Sequence, residues 1–135
     1  MRKIDYIVMH CTATDQSAKV SSIVKYWAER LGWRNPGYHF IIDAEGEVTQ
    51  LQPLDKASNG VRGYNAHSIH VSYIGGKDRD DRTHAQMVAQ QAIVKGLHGM
   101  FPDAKIQGHC DFPKVRKSCP RFNVADWLKD IGINE

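Results

Sequence analysis

His10, His109 and Cys119 are the residues of this sequence whose types are best suited to chemistry. Two imidazoles and a thiolate are three zinc ligands. A catalytic zinc site needs three protein ligands and an open fourth position for water, whereas a structural site is closed by four. Cys119 lies ten positions beyond His109, in a loop rich in Pro, Lys and Arg, but His10 is far away in the chain, so only the fold can join them. A closed set of His10, Cys11, Cys110 and Cys119 is the competing arrangement. Against it, neighbours on an extended strand point to opposite faces, so His10 and Cys11 cannot readily turn to one ion. Cys11 and Cys110 therefore read as packing residues or neighbours of a site, as free cysteines commonly are. Residue types alone leave two readings open for the trio, a metal site and a set of hydrogen-bonded polar side chains.

The elements that must position these residues follow from hydrophobic patterning. Ile4 to His10 is rich in Ile, Val and Tyr and reads as a strand ending at the first His-Cys pair. Val20, Ile23, Val24, Trp27 and Leu31 line one face of a helix that Gly32 stops. Asn35-Pro36-Gly37 makes a turn. Tyr38 to Ile42 and Glu47 to Leu51 then flank Asp43-Ala44-Glu45-Gly46 as a hairpin, with Gly46 supplying a positive φ. Residues 52 to 68 form a long irregular loop, a length that points to function in a compact domain. Ile69 to Ile74 is a strand closed by Gly75-Gly76, and the charged run 77 to 82 reads as a solvated loop. Thr83 with Gln86 forms a capping box for a helix whose buried stripe is Ala89, Ala92, Ile93, Gly96, Leu97 and Met100. A short strand at Lys105 to Gln107 leads to the second His-Cys pair, and Asn123 caps a last helix carrying Val124, Trp127, Leu128 and Ile131. This order predicts one mixed α/β domain over residues 1–135, a central mixed sheet flanked by about three helices, with Cys and His residues at strand ends where such sheets bind ligands.

Composition narrows the function classes. The 135 residues are 41% hydrophobic and 24% charged, the balance of a soluble globular domain. A net charge of +3 suits an anionic surface without indicating dedicated nucleic-acid binding. Lys114, Arg116, Lys117 and Arg121 would carry a nucleic-acid reading, but four basic residues in one loop are ordinarily solvated. No run approaches the roughly 18 apolar residues of a membrane span. The opening residues lack a signal-peptide core, which predicts a protein that accumulates in the cytoplasm. Three cysteines in such a chain argue for thiolate or metal chemistry rather than a disulfide framework.

Several strings add to this. Val8-Met9-His10-Cys11-Thr12-Ala13-Thr14, Gly32-Trp33, Gly37-Tyr38-His39-Phe40-Ile41-Ile42, Gly63-Tyr64-Asn65 with Ser68-Ile69, Gly108-His109 and Lys117-Ser118-Cys119-Pro120 occur in this order along nearly the whole chain. Together they resemble the zinc-dependent N-acetylmuramoyl-L-alanine amidases of type 2, which include phage lysozyme-amidases and the related animal peptidoglycan recognition proteins. The resemblance implies a peptidoglycan recognition protein-like fold and one zinc ion held by His10, His109 and Cys119. It implies that Tyr38 lies beside the attacking water and that Lys117 reaches the scissile carbonyl. The implied reaction is hydrolysis of the amide between N-acetylmuramic acid and L-alanine in peptidoglycan, by a monomer that waits in the cytoplasm until it reaches the cell wall. The alternative is a peptidoglycan-binding module without turnover. Arg62, Tyr64 and Asn65 in the long loop are candidate substrate contacts, and Asp111 and Glu45 are candidate general bases by location. The chain departs from many relatives at Asn59-Gly60-Val61, where they carry a His, and at His70, where a small residue is usual. His39 is expected in the core or beside the site, and His67, His70, His84 and His98 as exposed or locally hydrogen-bonded residues.

Overall fold

The computed structural model describes residues 1–134. Five strands form one sheet in the order β3-β2-β4-β1-β5, where β1 is Tyr6–Cys11, β2 Phe40–Ile42, β3 Val48–Gln50, β4 Ser68–Tyr73 and β5 Lys105–Gly108. All neighbours pair parallel except β2 and β3, whose antiparallel hairpin turns at Gly46 with φ +83°. The expected mixed sheet is therefore present. Three helices accompany it: α1 at Val20–Glu29, α2 at His84–Met100 and α3 at Val124–Asp130.

Alternation along the strands gives the sheet two unlike faces. Ile7, Met9, Ile42, Ile69, Val71 and Ile106 pack with Val94, Leu97, Val124, Trp127 and Leu128 of α2 and α3 in the main apolar core. The opposite face carries Val8 and His10 of β1. In register beside them stand His70 and Ser72 of β4, and His39, just before β2, bonds through its amide to the His70 carbonyl. This polar face is covered by loops and by a small cluster in which Val8, Val61 and Phe112 are buried. Both His-Cys pairs lie at the carboxyl ends of adjacent parallel strands, because β1 and β5 pair with Met9 opposite Gly108.

Two helices differ from the sequence expectation. The apolar stripe expected on α1 is not buried: Trp27 alone is, while Val24 and Leu31 are 38% and 43% exposed. The physical reason is that α1 does not lie on the apolar face of the sheet. It is held instead by Trp27, whose ring lies where a Cβ on Gly37 would come within 2.8 Å and meets Tyr38 edge-on at 5.3 Å.

On α2 the buried face is Gln86, Gln90, Val94 and Leu97, rotated from the expected stripe, with Met100 exposed. The capping box at Thr83 and Gln86 is present, and Gln86 explains the rotation. Its Nε2 donates to the carbonyls of Ile42 (3.3 Å) and Ile74 (2.8 Å), while its Oε1 accepts from the Thr83 amide (2.9 Å) and Gln16 Nε2 (2.9 Å). Strand-end carbonyls thus find their donors in a helix side chain. Gln86→Leu keeps volume but leaves the Ile74 carbonyl and the Thr83 amide without their partner, each costing about 1–3 kcal/mol, whereas the Ile42 carbonyl keeps the Ile74 amide and Gln16 keeps Asp81. We expect it to lower the thermal midpoint by roughly 5 °C or more, measured by calorimetry, with a change under about 1 °C arguing against this anchoring.

The charged run 77–82 is only partly solvated. Asp81 Oδ1 accepts from the Gly76 amide at 2.8 Å, and Arg82 makes two 2.9 Å bonds to the Asp80 carboxylate and lies 3.5 Å over the Phe122 ring. Asn123 caps α3 by accepting from the Asp126 amide at 3.0 Å.

Candidate metal centre

β1 ends by presenting His10 on the polar face, β5 delivers His109 at its carboxyl end, and the following loop returns Cys119 between them. The loop is pinned by the Cys110 amide donating to the Cys119 carbonyl at 2.9 Å. One ligand atom from each of His10, His109 and Cys119 lies within 4.8 Å of the others, the one such group of His, Cys, Asp and Glu side chains among the described residues. His10 Nδ1 stands 3.9 Å from Cys119 Sγ. Ligands on a tetrahedral zinc ion at ordinary bond lengths sit about 3.6 Å apart, so the donor set fits that ion by type, and the His10–Cys119 pair is close to that spacing. Cys11 and Cys110 stay outside it. Cys11 is buried with its thiol toward the Gly76 carbonyl, and Cys110 faces the Asp111 carboxylate.

The ionisation states suit metal ligation. Burial, then His70, His109 and Lys117, hold His10 well below the usual imidazole range, and burial with Lys117 brings His109 down to about 4. Both rings are neutral near pH 7, the form that ligates. The Cys119 thiol is pushed up by its hydrogen bond with Cys11 and by burial. It ionises when a cation is present to take up the charge. The Cys11 amide, 3.1 Å from Cys119 Sγ, is an added donor to that sulfur.

A small cavity of about 190 Å³ around the trio is bordered by Tyr38, Trp33, Gly60 and Lys117, and a groove of about 830 Å³ with part of the same lining runs along the 59–65 loop. Tyr38 donates to the Cys11 carbonyl at 3.3 Å and packs on the His10 ring at 5.1 Å. Burial and the neighbouring Cys119 raise its pKa, so the phenol stays protonated. Lys117 is exposed on the groove, as is Arg62, alongside Lys114 and Arg116. Arg121 is turned away and donates to the Gly76 and Lys77 carbonyls.

Other residues are placed differently from expectation. Tyr64 does not border the groove but packs on Phe112 at 4.5 Å and Tyr6 at 5.8 Å. Asn65 borders it, yet its Oδ1 accepts from the amides of Gly60 and Val61 and lies 2.8 Å from His70 Nε2. Asp111 accepts from the Gly108 amide, and Glu45 sits in the hairpin turn; neither borders the metal cavity. His70, which no sequence motif marked, is fully buried with Nδ1 2.8 Å from His10 Nε2.

His39 is buried behind this group. Its Nδ1 accepts from the His70 amide at 3.1 Å and meets Ser58 Oγ, and its Nε2 reaches the Lys56 carbonyl at 2.7 Å beside the Arg2 guanidinium at 3.0 Å. Burial, with Arg2 opposing protonation, lowers its pKa to about 4. The unfolded chain takes up this proton near pH 6.5 and the folded one only near 4. Stability from His39 is therefore complete above about 6.5 and falls by up to about 3 kcal/mol as pH drops to 4. An NMR titration of the His39 ring should give an inflection near 4, and one near 6.5 would contradict this environment.

The N-acetylmuramoyl-L-alanine amidase family (Amidase_2) matches residues 1–122. The endolysin of Enterobacteria phage K11 is 34% identical over 127 residues, covering 90% of this chain and 83% of its own. The endolysin of Escherichia phage T7 is 31% identical over 129 residues, covering 91% and 84%. Among solved structures, the N-acetylmuramoyl-L-alanine amidase LysC from Clostridium intestinale URNW superposes with TM-score 0.85 at 22% identity over 98% of this chain and 88% of that one. Apis mellifera PGRP-SA superposes with TM-score 0.81 at 18% identity over 96% and 84%. These two share the fold. The family match over residues 1–122 and the phage relatives above 30% identity carry the assignment: the chain belongs to the N-acetylmuramoyl-L-alanine amidase family and is an enzyme of that class.

Proposed function

We propose that the protein hydrolyses the amide between the lactyl group of N-acetylmuramic acid and the L-alanine of the stem peptide, as an endolysin, using one zinc ion held by His10, His109 and Cys119. The convergence of two neutral imidazoles and a thiol beside an open groove carries this reading. When bound, zinc supplies Lewis-acid polarisation of the carbonyl and lowers the pKa of water toward about 7. The chain's own groups do the rest. Tyr38, held as a neutral phenol beside His10, is placed to hydrogen-bond the reacting oxygens. Lys117 brings an ammonium to the charge that grows on the carbonyl oxygen, where it is stabilising because the cavity is small. Arg62, Lys114 and Arg116 give the groove a positive lining suited to the carboxylates of peptidoglycan.

One chain supplies the ligands and both walls of the groove, which supports a monomer as the working unit. Its partner is peptidoglycan and not a nucleic acid, and the protein is held in the cytoplasm until it gains access to the wall. The phage endolysins among its relatives support that placement. No helix among the described residues is long and apolar enough to cross a membrane.

The bond assignment is tested by digesting purified peptidoglycan and identifying the fragments by mass spectrometry. Intact stem peptides with a new L-alanine amino terminus are expected. Sugar fragments alone would overturn the bond assigned, and binding without release would mark a recognition module.

A further inference from the structure

His70 and Asn65 connect the metal ligand His10 to the wall of the groove. His10 turns Nδ1 toward Cys119 Sγ at 3.9 Å, which leaves Nε2 as the nitrogen facing away from the other ligands. That nitrogen lies 2.8 Å from His70 Nδ1. A histidine that ligates through one nitrogen carries its proton on the other, and that N–H needs an acceptor. His70 Nδ1 is then the acceptor, so the His70 proton resides on Nε2, which points at Asn65 Oδ1 at 2.8 Å. Asn65 is locked in this orientation from its other side, because the same oxygen accepts from the amides of Gly60 (3.1 Å) and Val61 (2.8 Å). Every donor in the chain has one acceptor, and only one set of tautomers satisfies it.

Gly60 completes the arrangement. A Cβ at this position would fall 2.3 Å from Cγ and Nδ1 of His70 and 2.5 Å from its Cε1, so any side chain there would displace the ring. The ring is enclosed otherwise, with His39 stacked at 6.0 Å and His10 edge-on at 4.9 Å. His70 is fully buried and borders neither the groove nor the metal cavity, so it touches no substrate. Gly60 and Asn65 do border the groove.

We propose that His70 and Asn65 are a positioning pair that holds His10 with Nδ1 toward the ion and Nε2 protonated, with Gly60 as the residue that makes room for the His70 ring. The pair ties ligand orientation to the 60–65 loop. This rests on the metal reading given above.

Zinc retention by the zinc-loaded protein, measured by competition with a chromogenic chelator, tests the pair. His70→Phe keeps the ring volume but cannot accept from His10, and zinc affinity should fall about 10- to 100-fold. His70→Gln has an acceptor and a donor and should restore affinity to within about threefold of wild type. Gly60→Ala, which alters no hydrogen-bonding group, should lose affinity in the same direction as His70→Phe. Long-range proton–nitrogen NMR correlations of the zinc-loaded wild type should show His70 protonated on Nε2. A His70 protonated on Nδ1 would overturn the proposal, as would His70→Phe with wild-type zinc affinity. If His70→Phe does not fold, Gly60→Ala and the tautomer of the wild type decide the matter. A wild-type protein that binds no zinc would instead overturn the metal reading and, with it, the role of the pair.

Discussion

Cys119→Ser should abolish stoichiometric zinc binding and lower kcat/KM on peptidoglycan by about a thousandfold or more, while leaving the fold intact. The serine hydroxyl does not ionise near neutral pH, so the site would lose its only anionic ligand and keep two imidazoles, below the three protein ligands that a catalytic zinc site uses. Losing several kcal/mol of carbonyl polarisation corresponds to about three orders of magnitude in rate. The fold should survive because the contacts of Cys119 in its loop are ones an oxygen can also make. The Cys11 amide lies 3.1 Å from the sulfur, and the Cys11 carbonyl accepts from the thiol at 3.6 Å. The backbone bond between Cys110 and Cys119 does not involve the side chain. Metal content by mass spectrometry, activity and circular dichroism, read together, separate a lost ligand from a lost fold. Full zinc occupancy in the variant would place the ion elsewhere.

Lys117→Met should lower kcat by about 10²- to 10³-fold, the range seen when one donor to a developing oxyanion is removed, with zinc content unchanged and KM altered only modestly. Lys117 is not part of the ligand group, yet its charge reaches that group, since it lowers the pKa of both His10 and His109. It borders the small metal cavity and the larger groove alike. An ammonium in that place is worth more to a transition state that gains negative charge than to a neutral bound amide, so the loss should fall on kcat. Steady-state kinetics on a soluble muropeptide would check this. A rise in KM at constant kcat would make Lys117 a binding residue of the groove instead.

The features that could be read from sequence are those set by local chemistry. The Thr83–Gln86 capping box, the Asn123 cap and the Gly46 turn each depend on residues within four positions of one another, and all three are present. The first His-Cys pair is legible because it ends a strand with a clear apolar run, whereas the second follows the short strand Lys105–Gly108, in which Ile106 is the one large apolar residue. The remainder depends on strand order. His70 faces His10 only because β4 lies beside β1 with Val8 opposite His70, a register between residues some sixty positions apart that no local pattern encodes. The stripe on α2 differs because Gln86 and Gln90 are buried, Gln86 through its hydrogen bonds to strand-end carbonyls and Gln90 with its Oε1 accepting from Arg82, while apolar Met100 lies outside the core. The stripe on α1 fails for the opposite reason: its apolar residues are real, but Trp27 alone is buried and no residue of α1 joins the apolar core. Tyr64 and Asn65 lie in the groove-forming loop as expected, but packing on Phe112 and hydrogen bonding to His70 turn both side chains to structural tasks.

Zinc-dependent cleavage of the N-acetylmuramoyl-L-alanine bond is tested most directly by stripping the purified protein with a chelator, restoring zinc to one half, and following release of stem peptides from peptidoglycan by mass spectrometry. On this reading free L-alanine amino termini appear with untreated and zinc-restored protein and not with the stripped sample. Equal release from the stripped, verified metal-free protein would contradict it.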